Sequence, residues 1–209
     1  MREWLSVLFC GAFDGETDHL AKIGGLNVIN VGVGLHESMY NLQKYLYKND
    51  HIRSILFVGS AGAYSHSGLE VGEIVYSYKF INKDIVDIKK LGKTPDVISK
   101  IILCKTDPKI MQMIKHLEFK EIVSNSMNYV TLIDLTPEEI VDNIFEAGAE
   151  NMEAFSIAYI AEKLSMPFTA IYAITNVVGE NGSKDWAENW RNGSNELQKR
   201  ILKYLAKKR

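Results

Sequence analysis

Short apolar runs alternate with amphipathic stretches along this chain. Residues 5–10, 28–33, 55–58, 71–76, 101–104, 119–123 and 168–176 are apolar runs, most of them rich in β-branched or aromatic residues, and each predicts a strand. Between them lie segments of helical period. Residues 17–21 and 39–47 predict helices, and residues 108–116 predict one with proline in its first turn. Thr136, Pro137 and Glu139 form a strong helix start: a cap, a first-turn proline and an acid at the capping-box position. Ala154, Ile157, Ala158 and Ala161 recur at helical spacing, so Glu153 opens a helix with one buried face. Leu197, Ile201, Leu202 and Leu205 mark one face of a last helix over 186–209, whose basic end, Lys207 to Arg209, suits a helix C-terminus. Residues 82–98 are polar and aperiodic and predict a loop with one short helix. Strands alternating with helices, without repeat or linker, predict a single α/β domain over 1–209 with a largely parallel or mixed sheet.

Composition narrows the partners. The chain is 46% hydrophobic and 24% charged, as ordinary soluble proteins are. A net charge of −2 gives no general attraction to nucleic acid or anionic membrane. No apolar run approaches the ~20 residues that span a bilayer, and the first five residues make a poor signal peptide. Cys10 and Cys104 lie in apolar runs and read as buried free thiols, so a reducing cytoplasm is expected. No His/Cys ligand cluster appears, and no metal is expected.

The residues with chemistry to offer gather at strand ends, where α/β sheets bind ligands. Glu16 stands at a strand-to-helix junction and reads either as a site acid or as an N-terminal acid complementing the helix dipole. Gly32-Val33-Gly34 lets backbone approach a ligand, but the third position of a dinucleotide fingerprint is Glu37, which argues against a Rossmann cofactor. Gly59-Ser60-Ala61-Gly62-Ala63 predicts a second small-residue turn, with tight packing as the alternative reading. Glu153 begins a helix and Asn176 ends the last strand. A carboxylate and an amide so placed could hold the two halves of one small polar molecule.

Taken in order, GAFDGE (11–16), GVG (32–34), VGSAGA (58–63), VGEIV (71–75), NMEA (151–154) and PFTAIYAITN (167–176) resemble the purine nucleoside phosphorylase and nucleosidase superfamily. Each motif is weak alone; the ordered set, running from about residue 5 to the last helix, is specific. The resemblance implies a three-layer sandwich with a central mixed sheet flanked by helices, a nucleoside substrate, no cofactor and a homodimer. Phosphorylases of this superfamily hold phosphate with arginines, one just before the Gly-Ser-x-Gly turn. Here Phe57 and Val58 precede that turn, and Leu35 and His36 follow the Gly-Val-Gly turn. Without a cationic clamp a phosphate dianion is poorly held in a closed site. The hydrolytic branch instead carries a water-activating glutamate where Glu16 stands.

Cleaving the N-glycosidic bond puts negative charge on the purine, so N7 must gain a proton or a hydrogen bond. The adenine-specific nucleosidases for methylthioadenosine and S-adenosylhomocysteine have Asp after the last strand. This chain has Asn176, whose amide can donate to the O6 of a 6-oxopurine but cannot deliver a proton. Futalosine hydrolase, of the alternative menaquinone route, combines hydrolysis with a hypoxanthine base. Its Ile-Ser-Asn-x-Val-Gly stretch followed by tryptophan is similar to residues 174–179 and Trp186. The resemblance then implies that Glu16 activates water, Glu153 with Met152 binds the ribose hydroxyls, and Asn176 contacts the purine N7 and O6. It implies that Val33, Ser60, Ala61 and Gly62 wall the base pocket and that Tyr129 stacks on the purine. Tyr172 takes the place of an arginine beside the nucleophilic water. Relatives also carry a hairpin where Gly24-Gly25 runs almost directly into Val28. The alternatives are a methylthioadenosine/S-adenosylhomocysteine nucleosidase, a purine nucleoside phosphorylase, and a nucleoside-binding protein without catalysis.

Overall fold

The computed structural model describes residues 2–207, so Lys208 and Arg209 of the basic end lie outside the described residues. The elements run β1 (Val7–Gly11), α1 (Asp18–Ala21), β2 (Asn27–Asn30), α2 (Leu35–Lys48), β3 (Ser54–Ala63), β4 (Ile74–Ile81), α3 (Ile85–Ile88), β5 (Ile101–Leu103), α4 (Pro108–Leu117), β6 (Lys120–Ser126), α5 (Pro137–Glu139), β7 (Ala147–Asn151), α6 (Ala154–Lys163), β8 (Phe168–Val177) and α7 (Gly182–Lys207). A single π turn, Ile140–Ile144, continues α5. The predicted capping box forms there: Glu139 N–H donates to Thr136 Oγ1 at 3.2 Å, and Thr136 N–H donates to Glu139 Oε2 at 2.8 Å.

The sheet is mixed, as predicted. Its order is β2-β1-β3-β7-β6-β4-β5, and β8 pairs with both β3 and β4. Strands β1, β2, β3 and β8 run parallel where they pair, whereas β7 opposes β3, and β8 and β5 oppose β4. Because β8 bridges β3 and β4, the strands β3, β7, β6, β4 and β8 close into a circuit. Alternation along β3 divides the core. Ile55 and Phe57 face one layer with Leu42 of α2 and Ile157 and Ala161 of α6. Leu56 and Val58 face the other, with Leu20 of α1, Ile110 and Ile114 of α4, and Leu197 and Ile201 of α7. This gives the helix–sheet–helix layering, with all these side chains removed from water.

Three elements differ from the sequence reading. Gly59 to Ala63 is the second half of β3 and not a turn, because β8 pairs with it all the way from Ile55 to Ala63. Residues 147–151 form β7, which has no apolar alternation to announce it. Residues 71–73 precede β4, which extends instead to Ile81. Cys10 is a buried free thiol and Cys104 a partly buried one. No helix among the described residues is long and apolar enough to cross a membrane.

Candidate active site

A cavity of about 540 Å³ opens where β1, β3, β7 and β8 end, a volume suited to a small ligand. Its walls include Glu16, Val33, Ser60, Ala61, Gly62, Tyr129, Met152, Glu153 and Asn176, so the structure gathers these predicted residues around one space. Its floor and rim add Ala12, Phe13, Val130, Glu150, Asn151, Ser183, Trp186 and Ala187.

Glu16 is 2% exposed and held from the loop that follows β1 and from β3. Its Oε2 accepts from Ala12 N–H at 2.7 Å, and its Oε1 accepts from Ser60 N–H at 3.0 Å and Ser60 Oγ at 3.1 Å. These donors favour the carboxylate. Burial, and next the nearby Glu153, oppose it more strongly, and the carboxyl is pushed up to about 8. Trp186 Nε1–H donates to Ser60 Oγ at 3.2 Å. An indole nitrogen can only donate, so the serine proton is directed to Glu16.

Glu153 precedes α6, and Asn151 organises that helix start. Asn151 Oδ1 accepts from the N–H groups of Glu153 at 2.8 Å and Ala154 at 2.7 Å, and its Nδ2 donates to Glu153 Oε2 at 2.7 Å. The other oxygen, Oε1, accepts from Gly34 N–H at 2.9 Å. The backbone freed by the Gly-x-Gly turn thus approaches this carboxylate. Gly34 has a φ of 87°, which strains any larger residue, and a Cβ there would have to displace the Asn128 side chain, whose Oδ1 would lie 2.6 Å away. Burial pushes Glu153 up to about 7.

Asn176 owes its placement to a register shift. Ala61 pairs with Ile174, but Gly62 pairs with Asn176, leaving Thr175 as an extra residue. Such a bulge re-aims the following side chain. Asn176 Oδ1 accepts from Thr175 Oγ1 at 3.0 Å, and its Nδ2 lies so close over Gly62 that a Cβ there would meet it at 2.6 Å. Nδ2 also donates to Val177 O at 3.3 Å, leaving one amide hydrogen for a ligand.

Tyr129 lines the cavity through its ring. Its hydroxyl donates to Asp84 Oδ1 at 2.9 Å and accepts from Ile85 N–H at 2.8 Å, which ties the start of the unassigned 82–98 segment to the site. Tyr172 requires a correction: it is fully buried, does not line the cavity, and bonds Ser124 Oγ at 3.0 Å. It faces the α2/α6 layer with Ile174, and the bulge at Thr175 turns Asn176 away from that side. Four-residue spacing therefore does not place the two side chains together.

The sequence reading gave no site role to Glu150, Asn151 or Trp186, although it quoted Asn151 and Trp186 within its motifs. Asn151, two residues before the N-cap Glu153, is a side-chain cap signal that could have been read. Glu150 carries no comparable local sign. Among the described residues, every charged side chain lining the cavity is a carboxylate: Glu16, Glu150 and Glu153. Arg191, on nearby α7, is paired with Asp18 at 2.9 Å and donates to Gly15 O at 2.8 Å. No group of His, Cys, Asp and Glu suited to a metal ion occurs among the described residues.

A family model described as the phosphorylase superfamily matches residues 14–207. The chain belongs to the phosphorylase superfamily. A curated relative, aminodeoxyfutalosine nucleosidase from Campylobacter jejuni, is 27% identical over 163 residues, spanning 74% of this chain and 69% of that protein. Solved structures share the fold. A 5′-methylthioadenosine/S-adenosylhomocysteine nucleosidase from Helicobacter pylori, with butyl-thio-DADMe-Immucillin-A, matches with a TM-score of 0.79 at 16% identity, over 96% of this chain and 97% of that one. Futalosine hydrolase from Helicobacter pylori matches with a TM-score of 0.79 at 15% identity, over 99% of this chain and 100% of that one.

Proposed function

We propose that this chain is a nucleosidase that hydrolyses the N-glycosidic bond of a 6-oxopurine nucleoside, with futalosine as the substrate that yields hypoxanthine and dehypoxanthine futalosine. The observation that carries hydrolysis is the lining of the cavity: three acidic side chains and, among the described residues, no cation on its walls. Such a wall gives a phosphate dianion no cationic clamp, which disfavours phosphorolysis. Its carboxyls, once ionised, favour the positive charge that builds on the ribosyl ring as the bond breaks. Glu16, when ionised, takes the proton of the attacking water. Glu153 accepts from the ribose hydroxyls beside Met152. Asn176 donates to the N7 and O6 edge, Tyr129 and Val33 border the bound nucleoside, and Ser60 to Gly62 form the floor under the base.

The amide at 176 supports hypoxanthine over adenine, because it donates and cannot protonate N7. The name of the Campylobacter relative supports a futalosine-type ribosyl half. It also favours a second reading, in which an amino-deoxy form of futalosine is the substrate. On either reading the enzyme serves menaquinone biosynthesis and works in the cytoplasm as a homodimer, without cofactor. The test is incubation without phosphate with futalosine, aminodeoxyfutalosine, methylthioadenosine, S-adenosylhomocysteine and inosine, followed by separation of the free bases. Hypoxanthine from futalosine supports the main reading. Adenine alone would transfer the assignment to the second reading or to the methylthioadenosine class. Turnover only after phosphate is added would overturn hydrolysis.

A further inference from the structure

The Glu16 carboxyl takes its hydrogen bonds from Ala12 and Ser60, but the chain on either side of it is held by α7. Three side chains of that helix converge on the carbonyl of Gly15. Ser194 Oγ donates to it at 2.7 Å, Arg191 Nη1 at 2.8 Å and Gln198 Nε2 at 3.0 Å. A carbonyl oxygen has two lone pairs, so three donors exceed what satisfying it requires. Together they fix the plane of the peptide that joins Gly15 to Glu16, whose N–H turns back to Phe13 O at 3.3 Å.

Two of these side chains also reach past Glu16. Arg191 forks onto Asp18, with Nη1 3.2 Å from Oδ1 and Nη2 2.9 Å from Oδ2. Gln198 is fully buried, and its Nε2 donates to Asp18 Oδ1 at 3.1 Å. Its Oε1 accepts from His19 N–H at 2.8 Å and Leu20 N–H at 3.3 Å. One helix thus clasps residues 15 and 18, and Glu16 lies between them. Gly15 lets the helix come this close. Its φ is 104°, and a Cβ there would lie 2.8 Å from Arg191 Nη1 and 2.9 Å from the Trp190 ring. Leu197 and Ile201 seat α7 in the core against β3, which makes it a firmer reference than the four-residue α1.

We propose that Arg191 and Gln198 are positioning residues for the hydrolytic step, setting where the Glu16 carboxylate meets the attacking water by clasping Gly15 and Asp18. The proposal rests on the nucleosidase reading for the role of Glu16. It is separate from the Trp186 contact, which acts on the Ser60 hydroxyl. Arg191 does not line the cavity. It acts through the backbone, where a slip of about 1 Å at a catalytic group can cost roughly 100-fold in rate.

The test is the pH dependence of steady-state kinetics in Arg191→Ala, with Arg200→Ala as control. Arg200 lies roughly 13 Å further along the same helix and donates to Leu117 O at 2.8 Å, with its guanidinium over the Phe119 ring. Arg191→Ala leaves Ser194 and Gln198 on the Gly15 carbonyl. Its kcat is expected to fall roughly 10–100-fold at nearly unchanged KM. The rising limb is expected to move to lower pH, because a loosened loop admits water to a carboxyl whose burial is the main cause of its raised ionisation. Arg191→Lys can reach Gly15 O or Asp18 but cannot fork across both. It is expected to recover part of kcat, and it carries the same test if the alanine variant does not fold. Arg200→Ala is expected to lower Tm and leave kcat and the limb in place. Wild-type kcat in Arg191→Ala, or equal losses in Arg191→Ala and Arg200→Ala with the limb unmoved, would overturn the proposal. Infrared difference titration of the Glu16 carboxyl, assigned by its loss in Glu16→Gln, needs no turnover. A midpoint that moves down in Arg191→Ala but not in Arg200→Ala, in a protein that hydrolyses no nucleoside, would uphold the clasp on Glu16 and sink the nucleosidase reading. A midpoint unmoved in both would sink the clasp.

Discussion

Glu16 is a carboxyl held by three donors whose burial still wins, with its ionisation pushed up to about 8. As the base for water it must be charged, so in the free enzyme kcat/KM is expected to rise with pH through neutrality. Glu153 is the second cause of that upward shift. Glu153→Gln removes the like charge and is expected to move the rising limb to lower pH, whatever it does to the maximum rate. Glu16→Gln is expected to lower kcat by roughly 10²–10⁴-fold and to abolish the limb. A limb that persists in Glu16→Gln would assign the ionisation elsewhere. Asn176 is tested in the same way. Asn176→Asp supplies an acid that can protonate N7, and is expected to raise adenine release from aminodeoxyfutalosine relative to hypoxanthine release from futalosine.

At the scale of elements, α7 reaches back into the site through Trp186, which fixes the Ser60 hydroxyl on Glu16. The Ser60 bond lowers the Glu16 pKa. Trp186→Phe frees that hydroxyl and is expected to move the rising limb to higher pH, opposite to Glu153→Gln. An unchanged limb would mean that Ser60 holds its orientation unaided. Helix starts and strand runs were legible because their causes are local: the Thr136 box and the helical spacing after Glu153 appear in the structure as read. The second half of β3 was not, because Gly59 to Ala63 have poor strand propensity and are held extended by pairing with β8. The bulge at Thr175 was equally invisible. It decides that Asn176 belongs to the cavity and Tyr172 to the core. Glu150 escaped notice because β7 is short and its burial comes from strands distant in sequence.

For the whole molecule the same buried acids couple activity to stability. Glu16 and Glu153, pushed up to about 8 and about 7, keep their protons in the folded state over a range where the unfolded chain has lost them. Where the folded state binds more protons, stability falls as pH rises. Their contribution is therefore full below about pH 4.3, the ordinary range of a glutamate, and is lost progressively up to about pH 8. Asp18 acts in the opposite sense. The Arg191 guanidinium holds its carboxyl well below the usual range, so the stability it supplies is lost as pH falls below about 4. Thermal melts at constant ionic strength are expected to give the highest Tm between about pH 4.5 and 6, with a decline towards pH 8.5. Glu16→Gln sets an amide NH₂ against Ala12 N–H or the Ser60 donors, so its absolute Tm is expected to be lower at acid pH. The slope is the informative quantity: between pH 5 and 8 the variant is expected to lose much of the decline. Hypoxanthine in excess should raise Tm by an amount that grows with the logarithm of its concentration over its Kd. A wild-type melt that is flat from pH 5 to 8 would mean that Glu16 and Glu153 ionise in the ordinary range. In that case the rising limb of activity would also be absent, and the cavity would be wetter than the burial of Glu16 and Glu153 implies.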